Sequence, residues 1–407
     1  MGLMISLMML WACSSDDEVA EAPVAEREMP IELSASAVRY QEVEEPAANR
    51  RSWTPPSGYY LYSSLYDDNG SHYVTFANVN LANKSINAFF TRATDKEPTP
   101  VDPSDPKYSA YAFYPYHGRL RYMSTDDKWR LSINKVDPNV VPDGDYYVYG
   151  FIPSDAADDA TITKLSGDFK NGAKLTIKGL RTAGYDACVI IGAKEGPDAD
   201  HDNGLVAGDF KINLKTGESA TNYLYLLFDH LCSALSIGIK VDGDYNTLRT
   251  IKLKQLTLQT ATESGLMAEK ADVVVDLVAN TMGINPISGL SYGATDKGAS
   301  VYLSDEGLTL TTSYQSFLSH FLPITDVTKV VITCVYDVYD KDTSINPAGN
   351  LVRKDCKASN TIRLSDIISY FPGVQRGWKY GINMTVKPTY LYVLSDPDLD
   401  NPTVSVE

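Results

Sequence analysis

Apolar residues recur at every second position along much of the chain. Residues 235–241 alternate apolar with small or polar side chains over seven positions and then meet Asp242-Gly243, a turn signal. Residues 31–37 alternate in the same way. Period two is typical of a strand with one face in a core, and no stretch of helical length shows the i, i+3, i+4, i+7 spacing of a core-facing helix. The pattern therefore predicts strands.

Two segments change phase within this alternation. In residues 228–241 the apolar positions shift from even to odd numbers, and in residues 251–258 they shift from odd to even. A strand that runs through such a change keeps its apolar side chains on one face only if one extra residue is inserted, as in a β-bulge. We therefore expect a bulge in each segment.

Turn clusters separate the predicted strands, for example residues 67–70 (DDNG) and 143–145 (DGD). Many short strands joined by turns favour the all-β class, with sandwiches or barrels, over βαβ units. Residues 215–222 contain no large apolar side chain and lie between strong strands. We place a domain boundary there. The N-terminal domain, 29–214, and the C-terminal domain, 223–407, then have about 185 residues each, enough for one sandwich apiece.

The charge balance excludes nucleic acid as a partner. The 407 residues include 52 acidic and 36 basic side chains, a formal net charge of −16 that phosphates repel. Five His against 27 Tyr supply few groups for acid–base catalysis. His230 and Cys232 could suggest a base with a thiol nucleophile, but two positions along a strand span about 6.5–7 Å, too far for direct proton transfer. We expect no catalytic residue, no metal site and no cofactor, hence a protein that is not an enzyme.

The N-terminus has the properties of an export signal. Residues 1–12 are uncharged and almost wholly apolar, and such a run is shorter than the roughly 20 residues that span a bilayer. Residues 10–13 (LWAC) resemble a bacterial lipobox, which implies acylation of Cys13. The acidic residues that follow resemble the signal that sends Bacteroidetes lipoproteins to the cell surface, and residues 13–28 are predicted to be an acidic tether. The alternative is a buried N-terminal helix.

Four further cysteines, Cys188, Cys232, Cys334 and Cys356, permit two disulfides in an exported protein. The turn-rich residues 340–350 separate two runs that contain Cys334 and Cys356. A hairpin folded symmetrically about that stretch would place these two thiols opposite each other. A disulfide there would contribute roughly 3 kcal/mol in the chain-entropy model. Two free thiols packed as small apolar groups are an equal alternative.

Several segments together resemble the fimbrillin family of Bacteroidales, the subunits of type V pili. They are residues 53–62 (WTPPSGYYLY), 146–153 (YYVYGFIP), 228–231 (FDHL), 377–380 (GWKY) and the closing residues 389–406. The resemblance covers about 90% of the chain and rests on the order of these segments more than on any one of them. It implies two tandem Greek-key-like, transthyretin-like β-sandwich domains. It also implies an outer-membrane lipoprotein precursor on the cell surface that is later part of the fimbrium.

The resemblance implies a mechanism of assembly as well. In this family a trypsin-like, Arg-specific surface protease releases the first strand, and a terminal strand of the next subunit fills the groove by β-strand addition. Residues 31–37 would be the removable strand here. The expected cut follows Arg51, with Arg50 and Arg39 as further candidates. The alternative is that residues 31–37 form a permanent edge strand and these arginines are surface charges.

The expected donor strands lie at the C-terminus, and their candidate residues are Tyr390, Tyr392, Leu394, Val404 and Val406. The expected partners are other pilus subunits, the protease, and a host or bacterial surface ligand, and the membrane is contacted through the lipid anchor only. The function expected is a non-enzymatic structural or adhesive pilus subunit, of tip or stalk type. A surface glycan-binding lipoprotein is the alternative, because it would also be acidic, β-rich, aromatic and acylated.

Overall fold

The computed structural model describes most of the predicted strands and leaves out the first 27 residues and the last 12. The described residues are 28–38, 41–42, 73–76, 84–92, 113–181, 186–195, 207–215, 222–261, 270–280, 287–292, 299–322, 329–341, 349–363, 376–387 and 391–395. The predicted signal peptide, Cys13 and the acidic tether up to residue 27 therefore lie outside them.

The first half of the chain contributes eleven described strands. They are β1 (Met29–Val38), β2 (Gln41–Glu42), β3 (Tyr73–Phe76), β4 (Ser85–Arg92), β5 (Tyr116–Met123), β6 (Lys128–Ile133), β7 (Gly144–Ile152), β8 (Asp159–Ser166), β9 (Asp168–Arg181), β10 (Cys188–Glu195) and β11 (Lys211–Leu214).

The second half contributes another eleven, and one short α-helix, α1 (Gly243–Leu248). The strands are β12 (Tyr223–His230), β13 (Ser233–Val241), β14 (Arg249–Ala261), β15 (Lys270–Val278), β16 (Gly289–Tyr292), β17 (Ala299–Thr309), β18 (Gln315–Leu322), β19 (Lys329–Asp340), β20 (Leu351–Arg363), β21 (Trp378–Val386) and β22 (Leu391–Ser395). The prediction of an all-β protein is confirmed. None of the helices in the described ranges is long and apolar enough to cross a membrane.

Seven strands of the first sheet close into a ring. The order is β10-β12-β1-β6-β5-β4-β7, and β10 pairs with β7 to complete the ring, while β11 and β3 attach to β7 and β1. The inward faces carry large aromatic residues, among them Trp129, Tyr116 and Tyr149, all at most 1% exposed. Aromatic side chains fill the wide interior of this sheet and so form the first core.

A second sheet of four strands, β16-β15-β9-β8, belongs to the same core. Leu175 and Ile177 of β9 pack there together with Val273 and Val275 of β15. The predicted boundary at residues 215–222 assigned β15 to the C-terminal domain, and the structure differs. The alternation of β15 specifies that one face is buried, but it carries no information about which sheet the strand joins.

The second core lies between two further sheets. One has the order β18-β13-β21-β2 with β22 also paired to β21, and the other has the order β17-β14-β19-β20. Ile237 and Ile239 of β13 pack there against residues of β14 such as Leu253 and Leu256, all fully buried. The bulge predicted in residues 251–258 is confirmed, because the register of β14 with both of its neighbours shifts between Leu253 and Gln255.

The other phase change has a different cause. β12 lies in the first sheet and β13 in another, and only Leu231 and Cys232 stand between them. The chain thus passes from one core to the other at these two residues, and no single strand runs through the change. Since β12 belongs to the first core, the passage between cores falls about ten residues beyond the predicted boundary at 215–222.

The predicted hairpin of β19 and β20 is present, but its register differs from the symmetric one. Tyr339 pairs with Leu351 as expected near the turn. Two irregularities then displace the pairing, so that Cys356 faces Tyr336 and Cys334 faces Ala358. The two thiols are diagonal neighbours, and all four described cysteines are free. The observed register therefore differs by two residues from the expected one, which would place Cys334 opposite Cys356.

Candidate functional site

The first described strand lies in the interior of a sheet. On one side β1 pairs in parallel with β12, from Glu32 opposite Tyr223 to Ala37 opposite Phe228. On the other side it pairs with β6 at Met29–Ile31 and with β3 at residues 35–38. An edge strand has a partner on one side only, so the alternative of an edge strand for residues 31–37 is wrong.

Side chains at every second position from Met29 to Ala35 enter the first core. Met29, Ile31, Leu33 and Ala35 are 0%, 2%, 7% and 2% exposed, whereas Glu32 is exposed. Burial of a Met, Ile or Leu side chain contributes roughly 1.5–3 kcal/mol. The alternation seen in the sequence thus gives β1 one apolar face. That face packs into a core whose other residues lie far along the chain.

Polar contacts hold the start of β1 in place. The backbone N–H of Glu32 donates to the carbonyl of Asn222 at 2.9 Å, and the Asn222 amide contacts Met29 Sδ at 3.3 Å. The carboxylate of Glu28 forms an ion pair with Arg121 of β5. This pair is partly exposed, so its contribution is small beside that of the buried side chains.

β1 and β2 belong to different sheets although only residues 39 and 40 separate them. Gln41 and Glu42 of β2 pair in parallel with Trp378 and Lys379 of β21. The candidate cleavage residues Arg39, Arg50 and Arg51 lie outside the described residues. Their order along the chain still matters: a cut after Arg39 separates β1 from β2, whereas a cut after Arg50 or Arg51 separates both strands from the rest.

One candidate donor segment is already part of a sheet. β22, which contains Tyr392 and Leu394, pairs antiparallel with residues 382–386 of β21. Because β13 occupies the other side of β21, β2 and β22 share one edge of β21, end to end. Tyr390, Val404 and Val406 lie outside the described residues.

The described tyrosines of the N-terminal half serve mainly as core. Tyr116, Tyr146 and Tyr149 are fully buried, and the Tyr149 hydroxyl donates to the carbonyl of Phe169. The ring centroids of Tyr146 and Tyr116 are 6.2 Å apart. These side chains offer no surface to a glycan, so they give the glycan-binding alternative no support.

Sequence reasoning missed a buried polar cluster. His230 ends β12 and pairs in register with Cys188, the first residue of β10. His230 Nδ1 lies 3.3 Å from Cys188 Sγ and 3.0 Å from Asp186 Oδ1. Cys232, the thiol expected near His230, is buried as well, but the ring nitrogen contacts Cys188 instead. Forty-two positions separate Cys188 and His230, and no local motif announces such a pair.

The cluster does not have the geometry of a catalytic triad. In a triad the two ring nitrogens divide the work, one facing the nucleophile and the other the carboxylate. Here both Cys188 and Asp186 contact the same nitrogen, Nδ1. Burial, and then the neighbouring Asp186 carboxylate, raises the pKa of the Cys188 thiol, whereas a nucleophilic cysteine needs a lowered pKa.

Comparison with known proteins gives structural neighbours only. No protein-family model matches the chain, and no curated protein matches it. Similar solved structures include a fimbrial protein from Bacteroides vulgatus ATCC 8482, with 15% identity, 77% of this chain and 91% of that chain covered, and a TM-score of 0.31. A proposed cell adhesion protein from Bacteroides fragilis NCTC 9343 has 11% identity, coverages of 92% and 99%, and a TM-score of 0.37.

The fimbrial anchor protein Mfa2 from Porphyromonas gingivalis is similar at 10% identity, with coverages of 90% and 95% and a TM-score of 0.29. These neighbours are described as fimbrial and cell adhesion proteins.

Proposed function

We propose that this protein is a non-enzymatic subunit of a surface fimbria that assembles by strand exchange. One observation carries the proposal: β1, close to the N-terminus, fills an interior position between β12 and the pair β6 and β3. A strand at the start of a chain can be released by a cut in the segment that follows it, and its removal would leave an elongated groove. We also propose that the two cores belong to two tandem Greek-key-like sandwiches.

The groove would need another strand to fill it. Loss of β1 uncovers backbone groups on β12, β6 and β3 and the core surface beneath Met29, Ile31 and Leu33. Three such side chains represent about 5–9 kcal/mol of apolar burial. An incoming strand with alternating apolar residues regains both the ladder and the burial, which is the principle of β-strand addition.

The position of the cut decides how much of the molecule opens. Cleavage after Arg39 would release β1 and leave β2 attached. Cleavage after Arg51, the preferred site, would release β2 too and free the edge of β21 beside β22. A cut after Arg51 therefore creates a longer acceptor that extends from the first core to the second.

Limited proteolysis tests this proposal. An Arg-specific protease is applied to the folded protein, followed by N-terminal sequencing and by electrophoresis without boiling. We expect a new N-terminus at Ser52 and polymers that stay intact in SDS during the electrophoresis. The variant Arg39→Lys/Arg50→Lys/Arg51→Lys keeps the charge but removes all three candidate cleavage sites and should stay monomeric. A cleaved protein that keeps β1 bound and remains monomeric would refute strand exchange.

The proposal includes export as a lipoprotein acylated at Cys13 and location at the outer-membrane surface before assembly. Cys13→Ser should abolish incorporation of labelled palmitate in a Bacteroides host and leave an uncleaved precursor. The same label on the variant would contradict acylation at this residue and leave strand exchange untouched, because the two steps involve separate parts of the chain.

A further inference from the structure

Three metal-ligating side chains meet at one end of the closed sheet. Cys188 begins β10, His230 ends β12, and Asp186 lies two residues before β10. Cys188 and His230 are 0% exposed and Asp186 is 1% exposed. None of the three residues lies in β1 or in the candidate donor strands, so the argument for the cluster does not rest on the proposed strand exchange.

The three ligand atoms form a triangle of suitable size. The edges are 3.3 Å from Cys188 Sγ to His230 Nδ1, 3.0 Å from that nitrogen to Asp186 Oδ1, and 4.0 Å from that oxygen to the sulfur. A tetrahedral zinc site with ordinary bond lengths has corresponding edges of about 3.3–3.6 Å. A point outside the plane of the triangle lies about 2.0 Å from the nitrogen and the oxygen and about 2.3 Å from the sulfur, which are the ordinary zinc bond lengths.

His230 Nδ1 has two neighbours but can form one full hydrogen bond, while the Cys188 thiol also has the carbonyl oxygen of Asp186 as an acceptor at 3.8 Å. A ring nitrogen has one in-plane position: it donates when protonated and accepts when it is not. If His230 Nδ1 donates to the Asp186 carboxylate, it cannot accept from the Cys188 thiol; if it accepts from the thiol, it faces the carboxylate oxygen lone pair to lone pair. A cation between the three atoms would be bound by all of them at once.

The charges and the donor set favour one class of ion. A thiolate and a carboxylate contribute two negative charges, and a divalent cation would neutralise both in a site that is closed to water. One sulfur, one imidazole nitrogen and one carboxylate oxygen match zinc, whereas calcium and magnesium prefer oxygen alone.

We propose that Asp186, Cys188 and His230 bind a structural Zn²⁺ ion. The ion would tie the start of β10 to the end of β12, where the backbone N–H of Leu231 also donates to the carbonyl of Ala187 at 2.8 Å. This is the point at which the chain leaves the first core for the second. A zinc ion there would stiffen the connection between the two cores.

The test uses the purified full-length protein, stripped with a chelator and then titrated with Zn²⁺ or with Co²⁺. Bound zinc is measured by mass spectrometry of the metal, and a cobalt–thiolate bond is detected by its near-ultraviolet charge-transfer absorption. We expect one Zn²⁺ per chain, the cobalt–thiolate absorption, and a higher melting temperature with zinc than with chelator.

Two variants remove one buried thiol each. Cys188→Ser should lose the cobalt–thiolate absorption of that sulfur. It should also weaken zinc binding by more than the roughly 10–100-fold loss seen when a hydrogen-bond partner of a metal ligand is removed. Cys334→Ser is the matched control, because Cys334 is equally buried but lies in the second core. It should bind zinc as the unaltered protein does.

Several results would overturn the assignment. A stripped protein that is folded by circular dichroism yet takes up no stoichiometric zinc contradicts it, and so does bound cobalt without the thiolate absorption. Equal zinc affinity of the Cys188→Ser and Cys334→Ser variants contradicts it too. Should Cys188→Ser fail to fold, the cobalt spectrum of the unaltered protein still decides the question.

Discussion

Gly150 in β7 occupies a position with no room for a side chain. A Cβ added there would lie 2.0 Å from the carbonyl oxygen of Asn87 and 3.0 Å from Ala88 Cα, both backbone atoms of β4. The paired strands of a closed sheet cannot separate to admit it. We expect Gly150→Ala to lower the free energy of unfolding by about 1–3 kcal/mol, measured by urea denaturation.

Gly243 is the matched control for this substitution. It begins α1, and a Cβ there would meet no atom within 4 Å. Gly243→Ala should therefore leave the stability unchanged or raise it by a few tenths of a kcal/mol. An equal loss in both variants would show that the β4 backbone is not the cause.

Asp242 gives a prediction about pH. Its side chain accepts from the backbone N–H of Tyr245 at 3.2 Å, and Lys387 lies 3.2 Å away; these contacts, the backbone bond first, lower the pKa of the Asp242 carboxyl. A lowered folded-state pKa stabilises the protein above the unfolded value of about 3.9, and this contribution is lost as the pH falls through the lower folded value. Asp242→Ala should cost about 0.5–2 kcal/mol at pH 7.

The difference between Asp242→Ala and the unaltered protein should shrink below about pH 4, when the carboxyl becomes protonated. Asp242→Asn is the control: an amide caps a helix without a charge, so its deficit at pH 7 should be smaller than that of Asp242→Ala, and the difference between the two variants should not depend on pH. Chemical denaturation at a series of pH values separates the cases. A deficit of Asp242→Ala that stays constant down to pH 2 would exclude the carboxylate as its origin.

Single residues also show where sequence reasoning stops. The burial of His230 could be predicted from the alternation of residues 228–232, and that of Cys188 from the continuous apolar run at residues 188–191. Their contact could not, because it depends on β10 and β12 being neighbours in register. A local pattern contains no information about a partner 42 positions away.

At the scale of elements, β1 should behave as a separable strand. A synthetic peptide of residues 29–38 is expected to bind the Arg-cleaved protein and to block polymer formation, because it restores the ladder with β12 and the burial of Ile31 and Leu33. Replacement of Leu33 by Asp in the peptide places a charge in the core and should abolish both effects. Fluorescence anisotropy of a labelled peptide measures the binding.

The peptide with Glu32→Gln is the control, because Glu32 is exposed and only its backbone takes part in pairing. It should bind and block as well as the original. If the Leu33→Asp peptide were equally effective, the peptide would be acting outside the groove.

A change in the alternation correctly predicted a bulge where one strand continues through it. The same prediction was wrong where the chain passes from one sheet to another. The bulge of β14 follows from its own sequence, since both flanking halves face the same core. At Leu231 and Cys232 the same signal accompanies a passage between two cores. The hairpin of β19 and β20 was predicted, but its register was not, because irregularities at Val338 displaced the pairing by two residues.

At the scale of the whole molecule, one ion pair joins segments on either side of the passage between the cores. Arg376, just before β21, donates from Nη1 to the carboxylate of Asp229 in β12 and to the carbonyl of His230 at 3.3 Å. The Asp229 side chain is only 7% exposed. Arg376→Ala would leave a nearly buried carboxylate without this guanidinium, so we expect a loss of about 1–3 kcal/mol in urea denaturation.

Arg376→Lys tests the geometry of that ion pair. An ammonium group preserves the charge but not the planar set of donors, and it should recover only part of the lost stability. If Arg376→Ala unfolded at the same urea concentration as the unaltered protein, the pair would be no more than a surface contact.

The sequence by itself determined the all-β class, the faces of individual strands and one bulge, because these depend on the local alternation of apolar and polar residues. Only the tertiary structure decided that β1 is an interior strand, that β15 joins the first core and that Asp186, Cys188 and His230 meet. Alternation specifies which face of a strand is buried but not which strand lies beside it. That choice depends on the packing of the whole chain, and in this protein the interior position of β1 and the buried cluster both follow from it.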